Sequence, residues 1–207
     1  MSETPVIIGL SLLLAYLLGS IPTGFVLAKA LKGIDIREHG SGNTGATNVF
    51  RVLGKGPGIT ALVIDLIKGV AAVLLMQWLI AQMGLLNGGD WLCTLAALLA
   101  VLGHSKSVWL GFTGGKSAAT GLGVLLALAW PVGLGVAAVF GLFLAISRTV
   151  SVGSIAASLS AVIFMAIMQQ PLPYILLAAA GGLYVVLRHK ANISRLIAGT
   201  EPKTFGS

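Results

Sequence analysis

Charged residues are scarce in this sequence. Only 9% of the 207 residues are Asp, Glu, Lys or Arg, whereas a soluble globular domain carries roughly 25%. The six acidic residues do not form a cluster in the sequence of the kind that holds magnesium. The single cysteine, Cys93, excludes an internal disulfide, has no metal-ligand companions and is predicted to pack within an apolar run. These shortages argue against a soluble domain, a disulfide-rich domain and a metal-dependent enzyme.

Hydrophobic residues are correspondingly abundant. They account for 57% of the chain, and the mean hydropathy is +0.98. Long apolar runs predict an all-α integral membrane protein rather than a barrel, whose strands give only a weak alternating signal. Seven transmembrane helices are predicted: 6–31, 59–83, 91–103, two short helices within 118–147 that turn at Trp130-Pro131, 155–168 and 174–187. We expect a kink near Pro22 and treat 1–207 as one transmembrane domain.

The basic residues indicate how these helices are oriented. The chain has 13 Lys and Arg against six Asp and Glu, a formal net charge of +7. With seven spans, every Lys and Arg falls at or near one side, so the positive-inside rule predicts an external N-terminus and a cytoplasmic C-terminus. Residues 1–5, which carry Glu3 and no basic residue, agree with this orientation. Membrane lipid is therefore an expected partner, and nucleic acid is not.

Four polar segments fall on the predicted cytoplasmic side, namely 40–51, 104–117, 147–154 and 188–201. The first reads GSGNTGATNVFR, and its glycines at 40, 42 and 45 are expected to take positive φ and point N–H groups at an anion. Hydroxyl and amide side chains add neutral donors, and Arg51 adds a forked cation that fits phosphate. A flexible polar connector explains this composition less well. We therefore predict a phosphate-handling loop.

The second polar segment ends in GGKS at 114–117, directly before an apolar run. This order places backbone N–H groups, a helix dipole and Lys116 at one point, which favours an anion site. The motif is similar to the end of a P-loop, but Leu110 stands where the first glycine of that motif belongs. A nucleotide-hydrolysing P-loop is therefore not supported.

Some residues have more than one interpretation. Asp65 and Lys68, three apart on one helical face, are either an ion pair near the membrane interface, with Lys68 reaching the headgroups, or supporting residues of the site. His189 is either a general base or a hydrogen-bonded residue at a helix end. Ser41 and Ser117 are conceivable nucleophiles, but no Ser-His-Asp pattern is visible, which makes acyl-enzyme chemistry the less favoured route.

The motifs resemble those of the acyl-phosphate-dependent glycerol-3-phosphate acyltransferases of bacterial membranes. The resemblance covers GSIPTG at 19–24, GSGNTGATNVFR at 40–51, DLIKG at 65–69, the loop at 103–120, SVGS at 151–154 and RHKANISRLIAGTE at 188–201. It implies transfer of a fatty acyl group from acyl phosphate to the 1-hydroxyl of glycerol 3-phosphate, giving lysophosphatidic acid and inorganic phosphate, the first step of phospholipid synthesis. Two motifs depart from the family pattern: H-x-F-P reads HSKS at 104–107, and GGKG reads GGKS.

The resemblance supplies the reaction, and the residues themselves suggest their roles in it. The implied catalytic residues are Ser41, Arg51, Lys116, His189 and Asn192. The implied substrate- and phosphate-binding residues are Gly40, Gly42, Asn43, Thr44, Thr47, Asn48, His104, Gly114, Gly115, Ser117, Ser151, Ser154, Arg188 and Glu201. No cofactor and no metal are expected. The implied partners are acyl phosphate, glycerol 3-phosphate, membrane lipid and the acyl-phosphate-forming enzyme. The implied location is the bacterial plasma (inner) membrane, multi-pass, with the active site on the cytoplasmic side.

Two other classes of protein fit the sequence less well. A transporter of a phosphorylated metabolite would place polar groups at mid-membrane in two related halves, whereas here they lie toward one face and no repeat is present. A phosphotransferase acting on lipid alcohols would need an aspartate cluster for its metal, which this sequence lacks.

Overall fold

The computed structural model describes residues 4–85 and 87–204, and its regular elements over those ranges are helices. The expectations that concern Glu3 and the last residues of the C-terminal tail lie outside the described residues. The α-helices are α1 (Thr4–Ser20), α2 (Thr23–Lys32), α3 (Ala46–Leu53), α4 (Lys55–Met83), α5 (Gly89–Ser105), α6 (Ala118–Leu128), α7 (Trp130–Ser147), α8 (Val150–Ile167), α9 (Leu172–Arg188) and α10 (Lys190–Ile197). Short 3-10 helices cover Ile36–Glu38 and Val108–Leu110.

Several of these helices are suited to a lipid bilayer. Within the described residues, α4, α7 and α8 are long and apolar enough to cross a membrane. The count rises to five if each of two bent pairs forms one span, α1 with α2 (bent by 42°) and α9 with α10 (bent by 57°). The shorter helices α5 and α6 are also apolar. This architecture agrees with the predicted all-helical membrane protein.

The predicted interruptions of the apolar runs are confirmed. The first run breaks between α1 and α2 at Ile21 and Pro22, and the long run 118–147 breaks at Ala129, after which α7 starts with Pro131 in its first turn. A proline break leaves backbone carbonyls without helical partners, and lipid offers no replacement. Side chains from elsewhere satisfy them at the first break: Ser107 Oγ donates to the Ser20 carbonyl (2.6 Å), and Lys68 Nζ donates to the Ile21 carbonyl (2.9 Å).

The chain divides into two compact units, Met1–Ala127 and Leu128–Ser207. In the first unit α1 packs closely against α5 and α4. A side chain at Gly103 would collide with the backbone of Tyr16 and Ser20, and one at Gly123 would collide with the backbone of Leu66. Small residues at such crossings let helices approach within van der Waals contact, which is the main source of helix association in lipid. In the second unit α8 packs between α7 and α9.

Two helices and one boundary differ from the sequence-based prediction. Segment 40–51 was expected to be a loop, but its second half forms α3, whose Val49 is buried. The polar segment after 188 likewise contains α10. Helix α4 begins at Lys55 rather than at 59. All three stretches are short or polar at their ends, so hydropathy alone does not mark them, whereas packing of one buried face stabilises such helices.

Candidate functional site

Asn48 organises the glycine-rich loop that precedes α3. Its side chain is only 1% exposed. Its Nδ2 lies within hydrogen-bond distance of the carbonyls of Ile36 (3.3 Å), His39 (3.0 Å) and Asn43 (2.9 Å), and its Oδ1 accepts from the Ser41 N–H (2.8 Å). An amide offers two donor hydrogens, so this side chain is occupied by the fold. Asn48 therefore shapes the loop on which the neighbouring polar residues lie.

The backbone of this loop differs in part from the predicted anion nest. Gly40 and Gly42 have the expected positive φ, 62° and 69°. Gly45, however, has a φ of −78° and ψ of 164°, and serves as the N-cap of α3. The Ser41 N–H donates to Asn48, the Gly42 N–H to the His39 carbonyl (3.1 Å) and the Gly45 N–H to Asn43 Oδ1 (2.8 Å). These three N–H groups stabilise the loop itself and do not point at an anion.

The donors that remain lie at the start of α3 and on its exposed face. The Ala46 and Thr47 N–H groups, in the first helical turn, donate to no other described residue. Thr47 and Arg51, four residues apart on one face, are exposed, as is the Ser41 side chain. Thr47 lies at the positive end of the helix dipole, and Arg51 lies one turn further along the same face, in the last turn of α3, so both offer donors to an anion. Thr44 is buried and contributes to packing near Gly24 instead.

The GGKS motif leads directly into α6, as predicted. Its glycines, however, do not adopt the backbone conformation of an anion-binding loop. Neither Gly114 nor Gly115 has positive φ. A Cβ atom at Gly115 would overlap the imidazole of His104, and one at Gly114 would overlap the His104 carbonyl. The Gly115 N–H donates to that same carbonyl (3.1 Å). The two glycines therefore let the loop lie directly on His104, and the half-buried Lys116 follows at the entrance to α6.

Ser117 is the last residue before α6 and adopts the left-handed conformation, with φ of 63°. It is 1% exposed, and its Oγ donates to the Val101 carbonyl of α5 (2.8 Å). Its carbonyl accepts from the Gly121 N–H (2.7 Å), the first hydrogen bond of the helix. A hydroxyl has one donor hydrogen, so this hydrogen is committed to Val101. We therefore assign Ser117 to the shape of the loop rather than to phosphate contact.

Asp65 and Lys68 form an ion pair, as one of the two interpretations expected, but the pair is buried. Their side chains are 2% and 4% exposed, and Lys68 Nζ lies 2.9 Å from Asp65 Oδ1. Thr23 Oγ1 donates to the same carboxylate oxygen (3.0 Å), and His104 Nδ1 lies 3.5 Å from it. Lys68 therefore does not reach the headgroups. Two opposite charges three residues apart in an apolar helix were the signal for this pair, but the sequence did not reveal His104 as its neighbour.

Glu201 is the centre of a polar cluster in the second unit. Its carboxylate accepts from Ser151 Oγ (2.8 Å), Asn192 Nδ2 (2.5 Å) and Arg195 Nε (2.7 Å). Burial opposes its ionisation, but these hydrogen bonds outweigh burial and hold the pKa of the Glu201 carboxyl below its ordinary value. Glu201 therefore ties the chain beyond α10 to the first turn of α8 and orients the Asn192 amide. Arg195 was not among the predicted site residues.

His189 lies at the junction of α9 and α10 and is 3% exposed. Its Nδ1 is 2.7 Å from the Val185 carbonyl. Since a carbonyl only accepts, Nδ1 carries the hydrogen, and in the neutral ring the lone pair is on Nε2. The contact with Val185 thus fixes the tautomer and the orientation of the ring. Ser154 is also buried, and Arg188 is half-buried.

The positions of the predicted residues can be compared within each unit. The first unit joins Asn48 to Ser41 and Asn43, and His104 to Gly114 and Gly115. The second unit joins Ser151 and Asn192 through Glu201. Over the described residues, no group of three or more His, Cys, Asp or Glu side chains has the arrangement of a metal site.

Over the described residues, apolar helices of spanning length define an all-helical integral membrane protein. A family model described as "Glycerol-3-phosphate acyltransferase" matches residues 9–199, and the chain belongs to this family. It is 55% identical to the glycerol-3-phosphate acyltransferase of Trichormus variabilis over 94% of this chain and 91% of that protein. It is 50% identical to that of Thermosynechococcus vestitus over 99% and 98%.

Two crystal structures of PlsY, described as an integral membrane glycerol 3-phosphate acyltransferase, have the same fold. The glycerol 3-phosphate form is 39% identical with a TM-score of 0.87, over 96% of each chain. The lysophosphatidic acid form is 40% identical with a TM-score of 0.83, over 96% of this chain and 95% of that one. These matches show an acyltransferase of phospholipid synthesis with an integral membrane fold.

Proposed function

We propose that the protein transfers a fatty acyl group from acyl phosphate to the 1-hydroxyl of glycerol 3-phosphate. The products are lysophosphatidic acid and inorganic phosphate. The observation that carries this proposal is the GGKS loop, which sets Lys116 at the start of α6 in a chain of this family. The names of the two PlsY structures, a glycerol 3-phosphate form and a lysophosphatidic acid form, support the acceptor and the product.

The chemistry requires one bond to form and one to break at the acyl carbonyl carbon. The acceptor hydroxyl oxygen attacks this carbon, the bond from carbon to the phosphate oxygen breaks, and inorganic phosphate leaves with the bonding pair. Lys116 and the N-terminal dipole of α6 would receive the negative charge that develops on the departing phosphate. Phosphate leaves readily, so positioning and charge stabilisation carry most of the rate. No metal enters this mechanism.

The other candidate residues fall into two groups, those that would contact substrate and those that would hold the contacting residues in place. Ser41, Thr47 and Arg51 are our candidates for contact with the phosphate of glycerol 3-phosphate. Ser41 and Thr47 are exposed beside the start of α3, and Arg51 is exposed one turn further along the same face as Thr47. His189 Nε2 is our candidate for the general base that accepts the proton of the acceptor hydroxyl. The acceptor's own phosphate is the alternative base. The supporting residues are Gly40, Gly42, Asn43, Thr44, Asn48, His104, Gly114, Gly115, Ser117, Ser151, Ser154, Arg188, Asn192 and Glu201.

We further propose seven spans in the bacterial plasma membrane, with an external N-terminus, a cytoplasmic C-terminus and cytoplasmic chemistry. Among the described residues, seven apolar helices or bent pairs support the number, and the positions of the Lys and Arg residues support the orientation. The enzyme that makes acyl phosphate is the proposed protein partner.

The orientation is tested by cysteine labelling. In a background with Cys93 replaced by alanine, cysteines at Asn87 and Gln170 should react with a membrane-impermeant reagent from outside intact cells. A cysteine at Lys55 should react only after lysis, and external reaction there would overturn this orientation.

The donor is tested by one assay of the purified protein. Glycerol 3-phosphate is supplied with acyl phosphate or with acyl-CoA, each with and without EDTA, and lysophosphatidic acid is measured. We expect product from acyl phosphate in both conditions and little from acyl-CoA. Product from acyl-CoA alone would refute the proposed donor. Activity that EDTA abolishes and magnesium restores would favour a phosphotransferase, and uptake of glycerol 3-phosphate into vesicles without product would favour a transporter.

A further inference from the structure

Asp65, Lys68, Thr23 and His104, which we call the Asp65 cluster, meet at one point inside the first unit. Thr23 lies just after the break between α1 and α2, Asp65 and Lys68 lie in α4, and His104 lies near the end of α5. All four residues are buried, with whole-residue exposures of 5%, 1%, 4% and 8% in the order Thr23, Asp65, Lys68, His104. Their contacts to the carboxylate are 3.0 Å from Thr23, 2.9 Å from Lys68 and 3.5 Å from His104.

A charged pair at such a place is a costly way to hold helices together. Desolvation of two charges opposes their mutual attraction, and apolar residues of similar volume often stabilise a core equally well. Small residues already bring α1 close to α5 in this unit, as at Gly103. Ionisable residues inside membrane helices are by default functional candidates. The Asp65 cluster therefore calls for a role beyond packing.

That role is indicated by what lies on the other side of His104. The imidazole touches the backbone of Gly115 so closely that no Cβ fits between them, and the His104 carbonyl accepts from the Gly115 N–H. The next residue is Lys116, and α6 begins two residues later. A displacement or rotation of the His104 ring would therefore be transmitted directly to the loop that presents Lys116.

We propose that Asp65 is a positioning residue for the reaction. Its carboxylate, held by Lys68 and Thr23, holds the His104 imidazole, and the imidazole sets the backbone of Gly114 and Gly115. Through this chain Asp65 determines where Lys116 and the start of α6 meet phosphate. The expected effect on kcat rests on the proposed function. The expected effect on phosphate binding does not depend on which acyl donor the protein uses.

The test compares Asp65→Asn with the double variant Asp65→Asn/Lys68→Met in purified protein. The single variant leaves the Lys68 charge without its counterion and is expected to unfold at a lower temperature. The double variant removes both charges and is expected to regain part of that stability, because the Ile21 carbonyl also loses its donor from Lys68. Thr94→Val, a buried substitution of similar shape in α5, is the matched control. Three quantities are measured for each: the melting temperature, kcat with acyl phosphate, and the rise in melting temperature with inorganic phosphate.

We expect the double variant to melt between the single variant and the wild type, yet to lose between about tenfold and a hundredfold in kcat, the range that follows from a small misplacement of a catalytic group. We also expect it to lose most of the stabilisation by phosphate, while Thr94→Val keeps kcat and that stabilisation. A folded double variant with wild-type kcat and phosphate response would overturn the inference. If the wild type itself makes no product from acyl phosphate, the proposed function fails, and the phosphate response alone decides the inference.

A second comparison asks whether Asp65 acts through His104. His104→Gln and the combination Asp65→Asn/Lys68→Met/His104→Gln are added to the series. If Asp65 acts through His104, the combined variant should lose no more kcat than whichever of Asp65→Asn/Lys68→Met and His104→Gln loses more. Losses that multiply would show separate actions, and this result would also overturn the proposal.

Discussion

Replacing Ser117 by alanine or by glycine separates two opposing contributions to stability. The residue combines a left-handed backbone (φ 63°) with a buried hydrogen bond from its Oγ to the Val101 carbonyl (2.8 Å). For an L-residue the left-handed conformation costs roughly 1–2 kcal/mol. A net intramolecular hydrogen bond contributes about 0.5–1.5 kcal/mol. The two contributions are of similar size, so the outcome depends on which of them each variant removes.

Alanine removes the hydrogen bond and keeps the strained backbone. The Val101 carbonyl still has Ser105 Oγ at 3.3 Å, so no buried acceptor is orphaned and we expect a loss of about 1 kcal/mol. Glycine removes the hydrogen bond and also the strain, against an entropic cost of about 0.5–1 kcal/mol. The glycine variant should therefore be more stable than the alanine variant by roughly 0.5–1 kcal/mol, and close to the wild type.

Thermal unfolding in detergent micelles measures this order. For a chain of this length, the difference corresponds to a melting temperature about 1–4 °C higher for Ser117→Gly than for Ser117→Ala. Ser105 provides the matched control, since its hydroxyl meets the same carbonyl from the last turn of α5 and its backbone is not left-handed. At this position the order of melting temperatures should reverse, so that Ser105→Ala melts at a higher temperature than Ser105→Gly. Equal stability of the two Ser117 variants, or a more stable Ser117→Ala, would refute the argument from backbone strain.

The remaining predictions concern charge. Arg51→Lys should mainly raise KM for glycerol 3-phosphate, because lysine keeps the charge but loses the forked donor, whereas Lys116→Met should mainly lower kcat. Steady-state kinetics with each substrate varied decide this, and near-wild-type values for both folded variants would refute the site. Glu201→Gln should destabilise the protein at neutral pH. Since the folded pKa of Glu201 lies below its ordinary value, the stability it contributes is present above that ordinary value and is lost as pH falls through the lowered pKa. The gap in melting temperature between wild type and Glu201→Gln should therefore shrink on acidification, and a gap independent of pH would contradict this.

Much of the architecture could be predicted from local sequence. Hydropathy over windows of spanning length depends on composition alone, so the membrane class and the apolar helices followed from it. Proline acts on its own helix, so the breaks at Pro22 and at Trp130-Pro131 were also predictable. The order of glycines, lysine and an apolar run in GGKS located the start of α6 correctly.

The assignment of each polar group to fold or chemistry was decided by tertiary structure. Asn48 was expected to contact phosphate, but it is buried and holds the preceding loop together. The glycines of GGKS were expected to free their N–H groups, but they make room for His104. Asp65 meets Thr23 across 42 positions of sequence, and Ser151 meets Glu201 across 50. A hydrogen-bonding side chain has the same local signature whether it faces substrate or a distant carbonyl, and only the packing of the helices determines which partner it finds.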